Sequence, residues 1–274
     1  MANYAMTEHR VSKRRACRCA GLSRSGWDYK QQGCDNKEVM FALASLAERY
    51  PRYGFRKLFK LLRKAGHRWN HKKVYRVYNL MKLNQRRKHK KRYRVEAPQS
   101  LLQPVRPTQA WSMDFMNDAL RSGRAFRTLN ILDDYHREIL RIEIDVSLTA
   151  ERMVRVLEQL IQVRGAPERI RVDHGPEFTS AAVSSWCAAQ RIELEYIQPG
   201  KPNQNGFIER FNGTYREQVL DAYLFNSIDE VREVTGRWIA EYNTIRPHES
   251  LGDISPIEFL TRRGYADSST YVRP

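Results

Sequence analysis

Residues 110–116, AWSMDFM, predict a short apolar strand with one acid, Asp114, at its centre. An ionised carboxylate inside an apolar strand is costly unless it is paired or holds a cation. Outward from it, residues 125–132 and 137–145 predict a hairpin. In its second arm Leu140, Ile142 and Ile144 alternate with Arg141, Glu143 and Asp145, the pattern of a half-buried edge strand. Thr149 caps a helix over 150–163, with Met153, Val154, Leu157, Leu160 and Ile161 inward. Residues 169–172, RIRV, form a strand that runs into Asp173 and the sharp turn His174-Gly175-Pro176. A helix over 180–190, a strand over 192–197 and a Pro/Gly/Asn loop over 199–206 then lead to a helix bearing Glu209. Three strands followed by alternating helix and strand predict a mixed α/β sheet whose first strands are antiparallel. That order differs from the strict βαβ alternation of a dinucleotide-binding fold.

Asp114, Asp173 and Glu209 thus arrive from a first strand, the end of a fourth strand and a nearby helix, and 35 positions (174–208) separate the last two. Elements in this order bring three acids to one face of a sheet. Carboxylates so placed repel one another and suit two hard divalent cations, Mg²⁺ with Mn²⁺ as a substitute. Two such ions clamp the attacking and leaving oxygens of a phosphodiester. These three residues are the expected catalytic and metal-binding set. Asp133 and Asp134 end a strand beside a turn, where Asp bonds local backbone, so a structural role is expected. Glu177 is expected to stabilise the N-terminus of the next helix.

At these residues the chain resembles a known family. WSMDF (111–115), DHGPEFTS (173–180) and PNQNGFIERFNGTYR (202–216) are similar to the three signatures of insertion-sequence transposases with a retroviral-integrase core, the OrfB type of the insertion-sequence-three family. LNILDDYHR (129–137), YNTIRPHESL (242–251) and YGFRKL (53–58) agree, so the resemblance covers nearly the whole chain. It implies a ribonuclease-H-like core with a DD(35)E triad, here Asp114, Asp173 and Glu209. It also implies DNA cleavage and strand transfer in a bacterial cytoplasm, close to nucleoid DNA. The partners implied are the element's ends and target, further copies of the chain, and an upstream-frame protein. His174 departs from the family pattern, which more often has Asn.

The charge distribution fits a polyanion partner at one end. Residues 1–100 hold 27 basic and 6 acidic side chains, the remainder 21 and 25. Periodic apolar positions predict helices over 37–50, 54–65 and 71–82, after a short helix, a turn at Gly21 and a helix capped by Ser23. Helix–turn–helix pairs with basic outer faces are consistent with DNA binding. In the run 86–94 seven of nine residues are basic, and Arg86, Arg87, Lys88, Lys90, Lys91 and Arg92 are expected on phosphates. Lys201, Asn203 and Asn205 are expected to reach DNA from the loop before Glu209, and Arg216, two helical turns beyond it, to grip a phosphate. His67 and His71 lie too far from Cys17-x-Cys19 for zinc-finger spacing.

The expected organisation is a basic helix-turn-helix region with its arm over 1–95, a linker over 96–108, a catalytic core with C-terminal helices over 109–264, and a tail over 265–274. Ser227 and Glu230 form a capping box ahead of a helix with Val231, Val234, Trp238, Ile239 and Tyr242 inward. No apolar run approaches a membrane span or a signal sequence, and four cysteines (Cys17, Cys19, Cys34, Cys187) make no disulfide scaffold. Two-metal chemistry needs no protein nucleophile, so Tyr215 is not expected to serve as one. His248 reads as structural. The rival functions are a catalytically inactive DNA-binding regulator and a structure-specific nuclease of the same fold.

Overall fold

The computed structural model describes residues 2–28, 36–85, 103–197 and 205–265. The arm residues Arg86, Arg87, Lys88, Lys90, Lys91 and Arg92, together with Lys201 and Asn203, lie outside the described residues. The chain divides into two compact units, Met1–Ala44 and Ser45–Pro274.

The first unit contains α1 (Ala2–Glu8), α2 (Lys13–Cys19), α3 (Arg24–Asp28) and the first part of α4 (Lys37–Arg49). Gly21 takes φ +66° to reverse the chain between α2 and α3, and Ser23 Oγ accepts the Gly26 N–H at 2.9 Å. Ala16, Cys17, Val39 and Leu43 are buried.

The second unit opens with α5 (Phe55–Lys64) and α6 (His71–Leu80). Asn70 caps α6 by accepting the Lys72 N–H at 2.8 Å. The sheet is built from β1 (Ala110–Ala119), β2 (Ala125–Asp133), β3 (Ile139–Asp145), β4 (Arg169–Val172) and β5 (Glu193–Tyr196), in the order β3-β2-β1-β4-β5. β1, β2 and β3 pair antiparallel; β4 pairs parallel with β1 and with β5. This is the expected mixed five-stranded sheet. β1 runs three residues beyond its apolar stretch, because Asn117, Asp118 and Ala119 continue the register against β2.

Helices cover both faces. On one, Trp111, Met113, Ile170 and Val172 form a core with Met153, Val156 and Leu157 of α7 (Ala150–Arg164) and Val183 and Cys187 of α8 (Ala181–Ala189). Val156 joins the expected stripe of α7, where Val154, Leu160 and Ile161 pack partly buried against the same core. On the other face, Phe126, Ile142 and Ile144 meet Ile208, Phe211 and Tyr215 of α9 (Gly206–Tyr215) and Val231 and Tyr242 of α10 (Ile228–Thr244). A π-helical turn, Arg216–Leu220, follows α9, and α11 (Pro256–Arg262) closes the described chain.

The boundary between the two units falls at Ala44/Ser45. Within the second unit a seam of ion pairs links the end of α4 and α5 to the C-terminal segment. Arg49 meets Glu241 at 2.6 Å, Arg56 meets Glu249 at 3.5 Å, Lys60 meets Asp253 at 2.7 Å and Lys64 meets Glu258 at 2.9 Å.

Candidate active site

The register of two parallel strands places the acids. Ser112 of β1 stands beside Arg171 of β4, so two residues further on Asp114 falls beside Asp173. Trp111, Met113, Ile170 and Val172 point into the core under α7 and α8. Alternation therefore sends Asp114 and Asp173 to the opposite face, which α9 covers. Glu209 lies in the first turns of α9.

Asp114 is fixed by two hydrogen bonds. Its Oδ1 accepts the Phe115 N–H at 2.8 Å and its Oδ2 accepts Asn212 Nδ2 at 2.7 Å. Asn212 Oδ1 in turn accepts Asn130 Nδ2 at 2.7 Å, and Asn130 is the register partner of Asp114 on β2. Burial pushes the Asp114 carboxyl up to about 6; the Phe115 amide pulls the other way, and the charges of Asp173 and Glu209 reinforce the rise. Burial also raises Glu209. Asp173 Oδ1 accepts the Gly175 N–H at 3.0 Å, and a Cβ on Gly175 would stand 3.0 Å from the same oxygen, so a side chain there would push the Asp173 carboxylate. The three acids thus share one locality. No group of three His, Cys, Asp or Glu side chains stands at metal-ligating spacing among the described residues.

Asp114, Asp173 and Glu209 differ from the neighbouring acids in one respect. Asp133, Asp134, Glu138, Glu143, Asp145 and Glu177 all face an arginine or histidine. None of the three is in such a pair among the described residues.

The structural role expected for Asp133 and Asp134 is what the structure contains. Asp133 accepts the Thr108 and Tyr135 amides at 2.7 and 2.8 Å. Asp134 accepts Ser112 Oγ at 2.6 Å and pairs with Arg171. Glu177 does otherwise than expected. It pairs with Arg127 of β2, and Ser180 caps α8 instead, because Arg127 lies within reach across the sheet and Ser180 occupies the cap position. The fork of Arg216 is engaged internally, by Asp118 Oδ2 and the Asn117 carbonyl, each at 2.7 Å. Asn205, expected at a DNA surface, is 2% exposed, and its Oδ1 has no partner among the described residues. Tyr215 is fully buried with its hydroxyl 2.8 Å from Thr235 Oγ1, and burial pushes the phenol up, so it presents no nucleophile. His174 packs against the Tyr196 ring with centroids 5.0 Å apart.

The Asn130–Asn212 bracket escaped the sequence reading. Its available signal was the i, i+3 spacing of Glu209 and Asn212, which puts both near one face of a helix.

An integrase core domain family matches residues 104–202 and again 190–256, and an HTH-like domain family matches residues 36–92. An uncharacterised protein of insertion element IS407 from Burkholderia multivorans is 38% identical over 94% of this chain and 94% of its own length. One of insertion element IS476 from Xanthomonas euvesicatoria is 41% identical over 93% of this chain and 74% of its own. A putative transposase of element IS986/IS6110 from Mycobacterium tuberculosis is 25% identical over 77% of this chain and 82% of its own. The chain belongs to the insertion-sequence-three transposases of the OrfB type. In this transposase the integrase-core match begins ahead of β1 and includes Asp114 and Asp173, and the second match includes Glu209. No described helix is long and apolar enough to cross a membrane.

Proposed function

We propose that this transposase performs metal-dependent DNA cleavage and strand transfer, with Asp114, Asp173 and Glu209 as the catalytic and metal-binding residues. The observation that carries the reading is the locality of three acids that form no ion pair among the described residues, where burial, reinforced by Asp173 and Glu209, pushes the part-buried Asp114 up to about 6. The all-oxygen donor set of these acids fits Mg²⁺ or Mn²⁺. Two divalent ions held there would activate the attacking hydroxyl and stabilise the leaving 3′-oxygen. The chain's own part is positioning. Asn212 and the Phe115 amide orient the Asp114 oxygens, Gly175 orients Asp173, and the docking of α9 against β1 brings in Glu209. Attack comes from water or a DNA 3′-hydroxyl, in keeping with the enclosed Tyr215.

DNA is the substrate class of this reading, with the basic run 86–94 and the loop residues Lys201 and Asn203 as its phosphate contacts. The engaged Arg216 and buried Asn205 are weaker members of that set. The reading includes several copies of the chain on paired element ends and an upstream-frame partner. Asp114→Asn, Asp173→Asn and Glu209→Gln should each abolish cleavage and strand transfer on the element's ends while DNA binding persists. Substantial Mg²⁺-dependent activity in any one of them would remove that residue from the set.

A further inference from the structure

A cavity of about 280 Å³ opens beside α9, with Phe207 and Tyr242 as apolar walls and Arg137, Arg210, His248 and Ser250 as polar ones. Arg210 follows Glu209 directly, so one turn of α9 serves both the acid cluster and this cavity. Arg137 is 9% exposed; its guanidinium lies 3.5 Å from the Phe207 ring centre and one terminal nitrogen has no partner. Arg246, 7% exposed, stands 5.2 Å from the Tyr242 ring centre and 5.4 Å from that of Tyr53, and its fork meets Gln218 Oε1 at 3.1 Å. His248 Nε2 is buried and unpartnered.

Arg137, Arg210, Arg246 and the neighbouring Lys57 gather at or beside this cavity, and none of them is in an ion pair among the described residues. Their charge is felt locally. Burial holds His248 down at about 3, with Arg246, Lys57 and Arg137 adding to the drop, and burial with Arg246 lowers Lys57 to about 8. Asp133 and Asp134 act on Arg137 from a distance, but their oxygens are taken by His136 and Arg171. Enclosed positive charge of this kind is costly without an anion.

We propose that this cavity binds a phosphodiester of DNA, held between Arg137 and Arg210 with its sugar and base against Phe207 and Tyr242. The choice of DNA rests on the transposase reading above; a free phosphate shares the anionic chemistry but leaves the apolar walls unused. The site lies outside the acid cluster and takes a phosphate other than the one to be cleaved. Guanidinium forks match phosphate oxygens bidentately, and an aromatic wall accepts any base by stacking, so the contact is independent of sequence.

The test uses the whole chain without divalent ions, with a duplex of about 20 base pairs and inorganic phosphate as separate probes. Arg137→Gln is the direct variant. Because Arg137 is buried, the exposed positions are tested beside it as Arg210→Gln and Ser250→Glu. Each should weaken duplex binding about tenfold, and each should lower the salt slope by about one. Phosphate should raise the melting temperature of the wild-type chain and leave both exposed-site variants unmoved. Variants that bind duplex as the wild type does overturn the proposal. Loss of the phosphate effect with duplex binding intact overturns the DNA assignment in favour of a small anion. A wild-type chain that binds no duplex overturns the transposase reading and this assignment together, an outcome visible before any variant is made.

Discussion

Arg171 is 1% exposed, held by Asp134 Oδ2 at 3.0 Å and Glu195 Oε2 at 3.1 Å, two residues along the chain from Asp173. Removing one member of a buried ion pair strands the other, so Arg171→Leu should cost about 3–5 kcal/mol of unfolding free energy. Arg171→Leu with Asp134→Leu should recover much of that loss. Urea unfolding of both variants measures it, and a single variant as stable as the wild type would show that Asp134 is solvated. The sequence points to Asp134 as structural because two acids at a strand end have local backbone to bind. It offers no sign of Arg171 as the partner. The same limit governs Arg216, whose partner Asp118 is 98 residues away and becomes a neighbour only when α9 docks on β1. A residue's type and local spacing announce the acids; which cations they meet is decided by long-range packing.

At the scale of elements, the turn between β2 and β3 is a small charged machine. His136 Nε2 meets Glu138 Oε2 at 2.6 Å, and its Nδ1 stands 3.2 Å from Asp133 Oδ1, too poorly aligned to count as a hydrogen bond. Glu138 is also held by Arg164 of α7 at 2.7 Å. Burial lowers the imidazole, but Asp133 and Glu138 outweigh it and raise His136 to about 9. A folded value above the unfolded 6.5 contributes stability that is complete below pH 6.5 and lost as pH rises through 9. This imidazole should therefore contribute a loss of the order of 1–3 kcal/mol between pH 6.5 and 9, set against a smaller opposite contribution from Lys57. His136→Asn should remove that loss, and a variant slope equal to the wild type's would refute the charged imidazole. Beyond the turn, Asn243 of α10 clasps the first residue of β3 through the Ile139 amide at 3.0 Å and carbonyl at 2.9 Å. Arg232 holds the Ile144 carbonyl near the strand's other end, so α10 clasps the edge strand at both ends. Most elements were legible because apolar period and caps agree at Thr149 and Ser227, whereas the Ser180 cap of α8 was missed. The bulge between Ile131 and Leu132 and the π-helical turn after Tyr215 were not, since neither leaves a local pattern.

At the scale of the whole chain, the seam from Arg49–Glu241 to Lys64–Glu258 joins sequence positions almost two hundred residues apart. Its side chains are largely exposed, so each pair contributes at most about 1 kcal/mol. Asp253→Asn and Glu258→Gln should each lower stability by less than about 1 kcal/mol at low salt, and the difference should vanish near 0.5 M. Unfolding curves at two ionic strengths measure this; a salt-independent loss would mean that the seam is held by packing. Charge composition could announce a basic end, and did, but could not show that Arg56, Lys60 and Lys64 are already matched by acids of the same chain. The order of elements has a different consequence, one of timing. All five strands precede Gly206, and the last acid arrives on α9. During synthesis the sheet, with Asp114 and Asp173 side by side, can form while Glu209 is still inside the ribosome. A nascent chain, or one cut ahead of α9, holds a sheet and two acids but no complete cluster. The acid cluster closes only after α9 has emerged and docked on the sheet.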